Sequence, residues 1–163
     1  MKLLRFAFIC FIFFAVLITG FSLLIPSHIR ISRATDINTS QDSVLMLIQN
    51  PEKWKNWYPG ADSASFIYNN GKITGIATGN NNGIKLETIS DSLIVAANAD
   101  KRMRMGWQIF PAATPNTTTI QWYMNFKLRW YPWEKFSSLL LEKRYGPMME
   151  KGLSVLKKFA EKK

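Results

Sequence analysis

Residues 6–25 run for twenty positions without a charged side chain, flanked by Lys2 and Arg5 on one side and Pro26 on the other. As an α-helix this run is about 30 Å long, the thickness of a bilayer's hydrocarbon core. It predicts an uncleaved membrane-spanning anchor. The competing reading is a cleaved signal peptide, whose apolar stretch is normally about 7–15 residues and ends in a small-x-small site. No A-x-A-like triplet closes this run. Lys2 and Arg5 nearly balance His28, Arg30 and Arg33 across it, so charge bias orients it weakly. A head this short favours a cytoplasmic N-terminus. The domain is then expected on the extracytoplasmic side, the periplasm in a bacterial cell.

The anchor changes how the composition reads. Hydrophobic residues make up 47% of the chain, and residues 6–25 hold much of that share. The chain is expected to divide into a head and anchor at 1–26 and one domain at 27–163. A domain of that length buries roughly two-thirds of its unfolded surface, which argues against two-domain enzymes and repeat solenoids. The chain carries 21 basic and 11 acidic residues, a net charge of +10 that favours anionic partners, acidic lipid headgroups or nucleic acid. Cys10 is the only cysteine, so an intramolecular disulfide and a cysteine-rich metal site are both excluded.

Within the domain the apolar period changes along the chain. Ile29, Ile31 and Ile37 recur at odd positions, a period of two that predicts a first strand directly after the anchor. Val44, Leu47 and Ile48 then give a short helical stripe after the Thr39-Ser40-Gln41-Asp42 capping stretch, ending near Asn50-Pro51. A further turn covers residues 52–57 before the Tyr58-Pro59-Gly60 breaker.

Residues 64–130 alternate like consecutive antiparallel strands, broken at Asn69-Asn70-Gly71, Gly79-Asn80-Asn81-Asn82-Gly83, Ser90-Asp91, Asp100-Lys101 and residues 111–116. The clearest strand places Ile120, Trp122, Met124, Phe126, Leu128 and Trp130 on one face. Pro132 opens a helix striped by Phe136, Leu139 and Leu140, and Tyr145-Gly146-Pro147 is expected to break it. A last helix carries Met149, Leu153, Leu156 and Phe159, with Lys157, Lys158, Lys162 and Lys163 complementing its dipole. One curved sheet covered by that helix buries all these stripes at once.

This order, together with three local segments, resembles the START-like (SRPBCC) superfamily, the polyketide cyclase/dehydrase-like group. The segments are Ile37-Asn38-Thr39-Ser40-Gln41-Asp42-Ser43-Val44, Asn50-Pro51-Glu52-Lys53-Trp54-Lys55-Asn56-Trp57 and Gly146-Pro147-Met148-Met149-Glu150-Lys151-Gly152-Leu153. The resemblance spans residues 29–161. It implies an α+β helix-grip fold, a curved antiparallel sheet of about seven strands wrapped around a long C-terminal helix with an apolar cavity between them. It implies no particular activity, because such folds carry both binding and catalytic members. The anchor and the Tyr131-Pro132-Trp133-Glu134-Lys135-Phe136 helix depart from the minimal fold, and the latter is a candidate lid or membrane-proximal flap.

Catalytic motifs are sparse. His28 is the only histidine and lies just beyond the anchor, and the sequence contains no H-E-x-x-H, cysteine cluster or G-x-S-x-G. No cofactor or metal is expected. The candidate ligand cavity is Trp54, Trp57, Phe66, Met103, Met105, Trp107, Trp122, Met124, Phe126, Met149 and Leu153, residues that equally suit a solid core. Arg33 shares the parity of Ile29 and Ile31, so a twist or bulge turns it outward or it meets the anionic head of a ligand. Arg102, Arg104, Lys127 and Arg129 share an outer face if the last two strands pair in register, a basic surface that solvation explains or that acidic headgroups attract. Nucleic acid is the weaker partner, because no binding motif accompanies the charge.

The leading functional expectation is a membrane-tethered domain holding an apolar or amphiphilic, lipid-like small molecule without covalent chemistry. The alternatives are a cyclase or dehydratase using the same cavity, and a structural or interaction module with a solid core.

Overall fold

The computed structural model describes residues 2–78, 82–111, 114 and 116–162. Helix α1, Lys2–Leu23, carries the apolar run and is long and apolar enough to cross a membrane. Its large apolar side chains point outward around its circumference, while Ser22, near its C-terminal end, is buried. A helix that is apolar all round has no partner stripe in this domain.

Strand β1, His28–Ile37, follows within a few residues. Helix α2, Gln41–Gln49, and a 3-10 helix, Pro51–Asn56, come next. The sheet is completed by β2 (Ser65–Asn69), β3 (Lys72–Thr78), β4 (Asn82–Ile89), β5 (Leu93–Asn98), β6 (Met103–Pro111) and β7 (Thr118–Lys127). Helices α3, Pro132–Ser138, and α4, Leu141–Ala160, close the chain.

All seven strands form one antiparallel sheet in the order β1-β7-β6-β5-β4-β3-β2. Sequential strands pair as hairpins, and β1 returns to the far edge beside β7. The Asn70-Gly71 pair turns the β2–β3 hairpin with φ of 49° and 77°, the left-handed conformation that a two-residue hairpin requires. The expected Gly79–Gly83 break lies in part outside the described residues, as does the 111–116 break.

Register carries the alternation into three dimensions. Ile31 faces Met124, Met105 faces Met124 from the other side, and Trp107 faces Trp122, so the inner faces of β1, β7 and β6 align row by row. Helix α4 packs on β1 and meets β7 at Gly152. A Cβ there would lie 2.7 Å from the Trp122 ring and 3.0 Å from Pro59, so the absent side chain sets how closely the helix seats.

Two helical expectations change. Tyr145-Gly146-Pro147 does not break the chain, because α4 runs through it from Leu141. Pro147 is exposed, as is Lys143 one turn earlier. The carbonyl that loses its intrahelical donor therefore faces water, and the packing of Gly146, Met149 and Leu153 holds the helix together. The Phe136, Leu139 and Leu140 stripe is also not turned to the core. In α3 the buried residues are Lys135 and Ser138, and those three apolar side chains are exposed.

Replacing Gly152 with Ala tests the close seating by sign. Helix propensity alone predicts a gain of about 1 kcal/mol. Overlap with a Trp122 ring fixed by its neighbours predicts a net loss of about 1–2 kcal/mol in denaturant unfolding instead. A stabilised variant would contradict the packing described here.

Candidate functional site

The 3-10 helix and the turn after it deliver Trp54, Trp57 and Tyr58 into the sheet's concave side, where Trp107 and Trp122 rise from β6 and β7. Trp54, Trp107 and Trp122 have no exposed surface, and Trp57 and Tyr58 are buried. Ring centroids lie 5.4–6.5 Å apart throughout the group, Trp57 meeting Trp107 and Trp122 edge to face. Such pairs each contribute about 0.5–1.5 kcal/mol beyond their burial.

Two indoles are anchored to the end of α2. Trp54 Nε1 donates to the Ile48 carbonyl at 2.7 Å, and Trp57 Nε1 donates to the Leu47 carbonyl at 3.2 Å. Among the described residues, Trp107 Nε1 and Trp122 Nε1 are buried without a hydrogen-bond partner. This group is packed ring against ring. Met105, Met149 and Leu153 are likewise buried in the core cluster. Phe66 sits apart on β2, partly buried, with the Lys55 ammonium 4.4 Å from its ring centre.

Beyond this packed group, one cavity lies at the end of the sheet where β7 finishes. A cavity of about 500 Å³, it is lined by Ile84, Met103, Met124, Phe126, Leu128, Tyr145 and Met148, together with Tyr58, Pro59 and Gly60. Its polar residues are Asn98, Asp100, Arg102, Lys127 and Glu134. The volume falls within the roughly 300–1,000 Å³ typical of small-molecule sites. Of the eleven residues expected to line a cavity, Met103, Met124 and Phe126 do so. The tryptophans stay out because they fill one another's space.

Sequence reasoning missed Tyr145 and Met148 because Gly146-Pro147 was read as a break. Continued through it, the spacing of Tyr145, Met148, Met149 and Gly152 is a helical stripe.

The polar rim is built by local hydrogen bonds. Asp100 accepts from the Arg102 backbone N–H at 3.1 Å and from its Nε at 2.6 Å, and Asn98 Oδ1 accepts from the Met103 N–H at 3.0 Å. Glu134 accepts from the Arg129 backbone N–H and from its Nε, each at 2.8 Å, and lies 3.7 Å from Arg102. The Arg102 backbone bond is the main reason the Asp100 carboxyl sits below the usual carboxylate range, and the Arg129 backbone bond does the same for Glu134. Burial pushes the Tyr58 hydroxyl up, and its partner is the Met105 sulfur at 3.8 Å. Near neutral pH the rim therefore carries ionised carboxylates, and Tyr58 is a protonated phenol.

Arg33 keeps its inward parity, opposite Trp122, without a bulge in β1. At this sheet edge it meets α4, where Nε donates to Glu150 at 2.7 Å and Nη2 pairs with Glu142. Those carboxylates, Glu150 first, hold the guanidinium charged, and its side chain is 30% exposed. Its charge is matched by the helix and directed away from the cavity lining.

The basic residues do cluster. Arg104 faces Asn125 across the β6–β7 pair, two residues from Lys127, and Lys127 donates its backbone N–H to the Arg102 carbonyl. A smaller groove of about 360 Å³ gathers His28, Lys101, Arg102, Arg104 and Lys127. Much of its charge is compensated, Arg102 by Asp100, Arg104 and Lys101 by Glu87, and Arg129 by Glu134.

A seven-stranded antiparallel sheet gripping a C-terminal helix, with an end cavity, defines an α+β helix-grip domain. The chain belongs to the polyketide cyclase / dehydrase and lipid transport family, whose profile matches residues 28–161. No curated protein matches the sequence. Solved structures share the fold at low identity. A START superfamily protein from Mycobacterium smegmatis has a TM-score of 0.61 at 13% identity, covering 81% of this chain and 97% of that one. An aromatase/cyclase from a Streptomyces species scores 0.59 at 12% identity, covering 82% and 94%. A norcoclaurine synthase mutant from Thalictrum flavum, in complex with a transition-state analogue, also scores 0.59 at 12%, with the same coverage.

Core and cavity wall separate by mutation. Trp122→Ala is expected to cost about 3–5 kcal/mol of unfolding free energy, as for a buried aromatic. Met148→Ala, at the cavity wall, is expected to cost about 1 kcal/mol. Equal losses in urea titrations would contradict the separation.

Proposed function

We propose that the domain at 27–163 holds one amphiphilic, lipid-like molecule in the end cavity and that α1 tethers it to a membrane. The observation that carries this reading is the cavity's division. Apolar side chains from β4, β6, β7 and α4 form its body, and the Asn98, Asp100, Arg102, Lys127 and Glu134 groups gather at one side. An apolar chain or ring system suits the body and a polar head suits the rim. The family's association with lipid transport supports the ligand class.

The ionisable groups favour holding over turning over. A proton-transfer group works best with a pKa near the operating pH. Asp100 and Glu134 are shifted below the usual range and Tyr58 above it, all away from neutrality. The cyclase reading, favoured by the likeness to the Streptomyces aromatase/cyclase fold, needs a group poised in between.

Two measurements test this. Full-length protein extracted in mild detergent is expected to release one amphiphile per chain into organic solvent for mass spectrometry. Met148→Trp, which fills the cavity, should lower that content about tenfold with the fold intact by circular dichroism. A chain that carries no amphiphile contradicts the proposal.

The second is pH. A carboxyl whose folded pKa is depressed contributes stability above its unfolded value, near about 4, and loses it as pH falls through the lower folded value. Ligand retention is therefore expected to be flat from about pH 5 to 8 and to fall only below about pH 4. A midpoint near neutrality would point to a different titrating group and favour proton-transfer chemistry.

A further inference from the structure

Helix α3 is inverted relative to an amphipathic helix in water. Lys135 is 3% exposed and Ser138 is buried, whereas Trp130, Trp133, Phe136, Leu139 and Leu140 are 40–68% exposed. Burying an ammonium while leaving five large apolar side chains outside is costly in water. The Lys135 bonds account for the burial. Its Nζ donates to the Ile25 carbonyl at 2.6 Å and to Ser27 Oγ at 2.8 Å. Ile25 belongs to the turn that closes α1, where the helix dipole favours a cation.

The same lock turns the apolar side of α3 outward beside α1, with which α3 is in contact. Phe21, Leu23 and Leu24 of the last α1 turns are themselves exposed. Tyr131 stacks on Trp133 at 4.8 Å and meets Trp130 at a tilt at 4.9 Å, side chains of the type that collects at membrane interfaces. The cavity reaches this end too, because Leu128 and Glu134 line it and the Leu128 N–H donates to the Ser27 carbonyl at 2.8 Å.

We infer that α3 is a second membrane contact, lying in the interface of the leaflet that α1 enters, and that the cavity opens onto that leaflet. Trp130, Trp133, Phe136, Leu139 and Leu140 then sit at the boundary of headgroups and acyl chains. An amphiphile reaches the cavity from the bilayer, without crossing water. This inference rests on the tether proposed above, which supplies the bilayer.

The test uses the full chain in phosphatidylcholine vesicles with Cys10→Ser and a fluorophore at Leu139→Cys, against a control at Asp91→Cys on the opposite end of the sheet. Asp91 is placed there by its carbonyl, which accepts from Gln41 just after β1. Carbonate washing first checks the tether. A retained chain whose residue-139 fluorescence is quenched by shallow spin-labelled lipid and shielded from iodide supports the inference, provided residue 91 shows the reverse.

Retention with iodide quenching at 139 overturns the inference and leaves the tether standing. Shielding from both quenchers means protein, such as a second copy of this chain, covers the face, which also overturns it. Release by carbonate overturns the tether and the inference together. Lys135→Met, which removes both lock bonds, is expected to raise iodide access at 139 severalfold.

Discussion

Five aromatic rings, Trp54, Trp57, Tyr58, Trp107 and Trp122, occupy the middle of the space between sheet and α4. A grip of this kind is hollow or solid according to what stands there, and here it is solid. The rings are held from two directions, by strand register through Trp107 and Trp122 and by indole bonds to the end of α2 through Trp54 and Trp57. Gly152 lets α4 descend onto Trp122. With the centre closed, room for a ligand is left toward the end where β7 finishes and α4 begins.

That end is also where α1 joins. β1 starts at His28 opposite Lys127, the last residue of β7, so the antiparallel pairing brings the end of α1, the cavity rim and the start of α3 together. Topology alone accounts for the coincidence. A strand that follows α1 directly and pairs with the strand preceding α3 brings these three features to one end. Lys135 then fastens α3 to the turn that closes α1, and Glu134, the residue before it, reaches back to Arg129 and Arg102 at the rim.

Much of the fold was legible because alternation in β6 and β7 is strict and the turn residues are chemically distinct. Less of the site was. Met103, Met124 and Phe126 have the same parity and chemistry as Met105 and Trp122, and nothing in their spacing says which rows meet the 3-10 helix and which meet empty space. That depends on Trp54 and Trp57 arriving from elsewhere in the chain. Pro147 misled because a proline's cost in a helix depends on which side its orphaned carbonyl faces, and here it faces water. Arg33 shares the inward parity of Ile29 and Ile31, but its Glu142 and Glu150 partners come from a helix more than a hundred residues away. The α3 stripe was visible as a period. Its direction is set by one lysine bonded to Ile25 and Ser27, just after α1.

The claim that the centre is solid and the end cavity takes the ligand is tested most directly by methyl resonances of the chain's methionines. Met103, Met124 and Met148 line the cavity, Met105 and Met149 lie in the packed interior, and Met46 is exposed elsewhere. Titrating 13C-methyl-methionine protein with a single-chain amphiphile such as a lysophospholipid should shift Met103, Met124 and Met148 together and leave Met105, Met149 and Met46 in place. Shifts centred on Met105 and Met149, or on Met46 alone, would contradict the account.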